Sequence, residues 1–332
     1  MTMLSVGDLA QSFLMARQNV ALKTELQRLS NEVTTGVAND TARHLAGDFG
    51  PLAGINASLA RLTGYKSVTT EAALFTGAMQ SALSLVDDMA STLGQSLLAG
   101  ATTSTAARID AMAAEAVQKL ETALSALNTR LGDRSLFAGT ATTTTPLPDG
   151  ETLLTTLQSV VVGAQTVGDI DMALTNWFAA PDGFAGLYRG GPPLATLTVA
   201  PGETVRVDIT ARDPAIRDTL QGLAMAALLD RGLLAGQPSA RAEVVRRSGD
   251  ILIGSQTSRA HLTAQLGTTQ ARIDSAAQRN TAETSALNIA RANLLSVDGY
   301  ETASRLLQTQ TQLETLYALT SRMSRLNLVD YL

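Results

Sequence analysis

The chain has 332 residues, 45% of them hydrophobic, enough for an extensive core and too many for a largely disordered protein. Its formal charge of −5, with no basic run longer than Arg246-Arg247, excludes an electrostatic footprint for nucleic acid or an acidic membrane. The lack of cysteine excludes disulfides, thiolate metal sites and a cysteine nucleophile.

From Leu9, apolar Phe13, Ala16 and Val20 recur at steps of four and three, and Leu22, Leu26, Leu29 and Val33 resume that rhythm. The spacing predicts one long amphipathic helix, capped by Ser5 or Asp8 and ended at Gly36. The stretch resembles no cleaved export signal: its first basic residue is Arg17, and Ser5, Asp8 and Gln11 interrupt the apolar run. Gly47, Gly50 and Pro51 break the pattern over residues 41–51 before helices resume through Leu59, Leu74, Val86 and Leu93. Residues 89–107 are free of charge but too rich in Ser, Thr, Gly and Gln to span a membrane. A turn is expected at 100–105, then a helix over about 106–131 with Ile109, Met112, Leu120 and Leu127 on its apolar face.

That helix is expected to stop in Phe137-Ala138-Gly139, followed by four threonines and two prolines, residues that favour extended or turning backbone. Short helices follow near 153–162 and 169–178, then a Gly and Pro cluster at 181–193. A hairpin is expected at 194–209: Leu194 to Val199, a Pro201-Gly202 turn, then Val205, Val207 and Ile209 alternating with polar residues. Asp213-Pro214 opens the next helix, and helical periodicity runs over about 240–293. After Gly299 a last helix places Leu306, Leu313, Leu316, Met323 and Leu326 on one stripe, at steps of seven and three that suit a coiled-coil seam.

Each terminal helix thus carries an apolar stripe that it cannot bury alone, and packing of the two against each other and against neighbouring molecules is the simplest remedy. Charged residues are 17% of the chain, below the usual ~25%, and Lys23, Lys66 and Lys119 are the only lysines. Interfaces are poor in lysine and tolerant of arginine, which fits burial against other subunits, although a GC-rich genome gives the same bias.

Catalytic constellations are missing. His44 and His261 lack the i, i+4 partner of a zinc helix, and Asp48 near His44 is a weak companion. Asp87-Asp88 and Asp169-x-Asp171 read as solvated charges, the glycines at 47, 50 and 54 as turn formers, and Trp177-Phe178 as core. No cofactor is expected.

Residue identities go further than pattern. "LNTRLGDRSLFAGTATTTTPL", residues 127–147, resembles flagellar hook-filament junction proteins (hook-associated protein 3), in which a helix ends in a Leu-Phe-Ala-Gly-Thr signature, here Leu136, Phe137, Ala138, Gly139 and Thr140. The C-terminal "VDGYETASRLLQTQTQLETLYALTSRMSRLNLVDYL" is similar to that family's closing helix, and "LQRLSNEVTTGVAND" to its first. The Asp-Asp-Pro usual near the latter is absent; only Asn39-Asp40 stands in its place.

The resemblance implies a mainly α, flagellin-like fold with long terminal coiled-coil helices, a helical rod domain and a small α+β inserted outer domain. The expected division is 1–45 with 294–332 as terminal assembly region, 46–140 with 211–293 as rod, and 141–210 as insert. It implies an extracellular structural protein, exported unfolded through the flagellar channel without a cleaved signal peptide and bound by an export chaperone at its C-terminal region. It would self-assemble into a ring-like helical layer between a hook-side junction protein and flagellin filament subunits. The assembly interface would comprise Leu9, Phe13, Val20, Leu26, Leu29, Val33, Leu306, Leu313, Leu316, Met323 and Leu326, with the termini at most marginally helical until packed. Flagellin itself, and an enzyme or ligand-binding module housed in the insert, are the alternatives.

Overall fold

The computed structural model describes the backbone of residues 6–101 and 105–329 and the side chains of 10–101 and 105–322. In chain order it consists of α1 (Val6–Thr35), α2 (Thr41–His44), α3 (Gly50–Ala101), α4 (Ala106–Leu127), β1 (Arg130–Leu131), β2 (Arg134–Ser135), α5 (Gly150–Val160), α6 (Val167–Ala179), α7 (Phe184–Leu187), β3 (Leu197–Ala200), β4 (Glu203–Val205), α8 (Pro214–Ala227), α9 (Pro238–Gly254), α10 (Gln256–Leu295) and α11 (Gly299–Val329). The fold is mainly α, with two small antiparallel hairpins. No described helix is long and apolar enough to cross a membrane.

Local chemistry explains most boundaries. Gly36 ends α1 at φ +71°, a left-handed backbone that glycine adopts without a Cβ penalty. Thr105, Asp149 and Asp213 cap α4, α5 and α8 by accepting amide hydrogen bonds, and Pro214 opens α8 where no amide partner is needed. Thr166 and Asp169 form a reciprocal capping box on α6.

Several expectations are corrected. The backbone of Asp8 lies inside α1 and its side chain is outside the described ones, as is the whole of Ser5. Gly50 and Gly54 are not turn residues but the first turns of the uninterrupted α3, where Asp48 Oδ1 accepts the Gly50 amide at 3.0 Å. The helix from Ala106 stops at Leu127, ten residues before Phe137, because a second hairpin intervenes: Arg130 pairs with Ser135 and Leu131 with Arg134 around Gly132, at φ +58°. Strand β4 ends at Val205, short of Val207 and Ile209, which leave the ladder to enter the main core. The periodicity over 240–293 is two helices, divided at Ser255.

The chain forms two compact units, residues 1–62 with 282–332, and residues 63–281. In the second unit α8 is buried on every side from Thr219 to Ala227, among α4, α6 and α9, with its buried polar groups bonded: Thr219 Oγ1 donates to Ala215 O at 2.7 Å and Gln221 Nε2 to Thr175 Oγ1 at 2.9 Å. Gly222 lets α9 approach closely: a Cβ there would stand 2.8 Å from Leu252. Leu147, Leu153, Ile170, Leu174 and Phe178 share one continuous core with Met79, Leu93, Leu120 and Leu220. Phe178 stacks on Phe184 at 5.4 Å and meets Trp177 edge-on at 5.0 Å, a core cluster as expected. The β3–β4 hairpin packs Val199 and Val205 against Ala72, Ile273 and Ala276, and Asn280 Nδ2 donates to Val199 O at 2.8 Å.

Candidate functional site

In the first unit α1 and α11 pair along their lengths. The covered positions of α11 are Thr302, Leu306, Thr309, Leu313 and Leu316, and those of α1 are Met15, Asn19, Leu22, Leu26 and Leu29, both at alternating steps of four and three. Two of the α11 positions are threonines, invisible to a search for apolar residues. Their hydroxyls donate back into their own helix, Thr302 to Asp298 O at 2.7 Å and Thr309 to Arg305 O at 2.9 Å, leaving the methyl groups for the seam. The register itself was the signal that could have found them.

The expected interface residues therefore divide. Leu26, Leu29, Leu306, Leu313 and Leu316 lie on the intramolecular seam. Phe13 and Val20 face away from it, 71% and 66% exposed, as do Leu14, Leu307 and Leu319, while Val33 is 40% exposed. The side chains of Leu9, Met323 and Leu326 lie outside the described ones. Pairing covers one edge of α1 and one of α11, which accounts for their helical state in a single chain, and leaves Phe13 and Val20 open on the far side of α1. Burying a Phe or Val fully contributes about 2 kcal/mol, so that face favours a further contact.

Where the pair ends, residues 36–38 run beside 295–297. Val37 bridges Ser296, Ala38 N donates to Leu295 O at 2.9 Å, and Val297 N donates to Gly36 O at 3.0 Å. His44 Nε2 lies 3.2 Å from Leu294 O, so this ring serves a backbone contact. A polar cleft of about 300 Å³ opens here, lined among others by Arg28, Glu32, Arg43, His44, Asp298 and Arg305. Arg28 binds Glu25 and Glu32; its guanidinium holds the Glu25 carboxyl below the usual range, and the hydrogen bond it donates to Glu25 raises its own pKa. Among the described residues no three His, Cys, Asp or Glu side chains gather at metal-binding distance.

In the second unit, Leu136, Phe137 and Ala138 are buried, Gly139 is buried at φ +58°, and Thr140 is exposed. This stretch is a backbone knot. Leu136 N donates to Thr129 O at 3.1 Å, Thr140 N to Pro192 O at 2.8 Å, Gly191 N to Ala138 O at 2.9 Å, and Ala211 N to Phe137 O at 3.0 Å. Tyr188 Oη donates toward Phe137 O (3.2 Å) and Gly191 O (3.1 Å), and burial pushes its phenol pKa up. Asn128 exchanges two hydrogen bonds with the backbone of Leu147 through its side-chain amide, at 3.0 and 3.1 Å. Residues 128–147 are thereby tied to 188–211.

Arg259 was missed by pattern reading. It is 4% exposed and donates through Nε to Asp87 Oδ1 at 2.6 Å, through Nη1 to Ser255 Oγ at 2.7 Å and Leu252 O at 2.9 Å, and through Nη2 to Ser91 Oγ at 3.2 Å. Asp87 is thus ion-paired, not a freely solvated charge. Asp171 likewise pairs with Arg247. An apolar pocket of about 210 Å³ touches the expected insert at Leu194, Ala195, Leu197 and Val207; its charged lining groups, Glu71 and Arg134, pair with each other and offer no convergent polar set.

Residues 254–332 match the profile of the bacterial flagellin C-terminal helical region. The fold is similar to that of a solved structure described as a flagellar hook-associated protein from Vibrio parahaemolyticus, with a TM-score of 0.54 and 16% identity over 73% of this chain and 95% of that one. FlgL from Bacillus cereus gives a TM-score of 0.42 and 14% identity over 69% of this chain and 96% of that one. No curated protein matches the sequence.

Proposed function

We propose that this chain is a structural subunit of the bacterial flagellum and forms the junction layer between hook and filament. The observation that carries the reading is the outer face of the terminal pair: Phe13, Val20 and Leu319 stay open after α1 and α11 have covered each other, on the unit that holds most of the flagellin-matching stretch. Contacts between unlike faces of neighbouring copies build helical layers, and such a layer presents different ends to the hook-side protein below and the flagellin above. The residues of the terminal pair would be the innermost layer, 46–140 with 211–293 the rod, and 141–210 the outer part. The role is structural, at the extracellular flagellum, after export with a chaperone at the C-terminal region.

Deletion of the gene, followed by electron microscopy, tests this. The expected result is hooks without filaments and flagellin lost to the medium; filaments of normal number and length contradict it. The flagellin-region match also fits a filament subunit, which predicts that the purified protein polymerises alone into long filaments.

A further inference from the structure

We propose that Glu32 is the latch of a joint made by residues 36–44 and 294–298, so that this joint holds or opens as one unit. Glu32 is 4% exposed at the end of a helix whose surroundings are largely solvated. Both of its carboxylate oxygens accept from Arg28 Nη1 at 2.7 Å, and Oε1 also accepts the Asn39 amide at 2.9 Å. The Asn39 bond spans the turn at Gly36 and sets the direction in which the chain leaves α1. A buried carboxylate is costly unless paired; here Arg28, one turn back on the same helix, supplies the charge and leaves an acceptor free for Asn39.

The remaining ties depend on that direction without involving Glu32: Ala38 N to Leu295 O, Val297 N to Gly36 O, and His44 to Leu294 O. The 300 Å³ cleft beside them is lined mainly by charged and polar groups, so apart from the small buried methyl of Ala38 little apolar packing would hold residues 37–39 in place once Glu32 lets go. The consequence rests on the proposed assembly: an openable joint lets the terminal pair adjust as it packs into a layer. The latch itself is a property of the single chain.

Hydrogen exchange on the full-length monomer tests it, with amides of the buried helix α8 as the reference for an intact fold. In Glu32→Ala the amides of Asn39, Ala38 and Val297 should all exchange roughly tenfold faster or more, with α8 unchanged. Glu32→Gln, which keeps an acceptor for Asn39, should bring all three back to within about threefold of the parent. Acceleration confined to Asn39, no acceleration, or failure of Glu32→Gln to restore protection overturns the proposal. The assay needs no flagellum, so bare hooks or normal filaments in the deletion strain bear on the assembly reading alone.

Discussion

Arg259→Ala lowers the main thermal unfolding midpoint of the full chain by about 10 °C, a loss of about 3 kcal/mol. Arg259 reaches α3 through Asp87 and Ser91, and satisfies the carbonyl of Leu252 and the hydroxyl of Ser255 where α9 stops and α10 begins. Truncation takes a donor from Leu252 O and from Ser255 Oγ, which keep only their 3.1 Å bond to each other, and leaves Asp87 without its cation. The hydrogen bonds lost by these desolvated groups, together with Asp87's lost cation, account for most of the loss, because the ion pair by itself repays little more than its own burial. Asp87→Asn should cost less, since its Oδ1 still accepts from Arg259 Nε and the guanidinium keeps its bonds to Leu252 O, Ser255 Oγ and Ser91 Oγ. Differential scanning calorimetry of the three proteins measures the order parent, Asp87→Asn, Arg259→Ala. A shift under about 3 °C for Arg259→Ala would show that the break between α9 and α10 stands without it.

Gly139→Ala is the second large effect, at about 3 kcal/mol. An L side chain in the left-handed region costs about 1–2 kcal/mol, and the added Cβ would stand 2.2 Å from Pro192 O and 2.6 Å from Gly191 O. Those carbonyls are backbone and belong to the knot, so relief requires parting 139–140 from 191–192 and losing the Thr140 and Gly191 amide bonds. Gly132→Ala is the control: φ is the same +58° but nothing lies within 4 Å of its Cβ, so about 1 kcal/mol is expected. Denaturant unfolding of both variants separates backbone strain from collision. Equal losses would mean that the close approach to Pro192 is not needed.

Residues with local partners were legible in the sequence. Asp213-Pro214 announced α8, Gly36 the end of α1, and the 3.5-residue rhythm of Leu306, Leu313 and Leu316 the last helix, because each effect acts within a turn or two. What escaped depends on distant partners. The helix expected over about 106–131 stops at Leu127, where the Arg130–Ser135 hairpin intervenes and the Asn128 side chain is held by the backbone of Leu147, 19 positions on. Arg259 looks like any surface arginine until Asp87, 172 positions earlier, is brought beside it. On α1, Phe13 and Val20 are spaced like a seam, yet the seam is Met15, Asn19, Leu22, Leu26 and Leu29. Two apolar stripes on one helix share a period, and only the partner decides which is inside.

Thiol labelling of Val20→Cys tests the central claim most directly, since the chain has no other cysteine. Val20 is exposed in the single chain, and the assembly reading requires that it be covered in the layer. The predicted result is rapid modification of the purified monomer, at the rate of an open thiol, and modification roughly a hundredfold slower in isolated flagella. The same rapid rate in both would leave the outer face of the terminal pair exposed after assembly and would contradict the account.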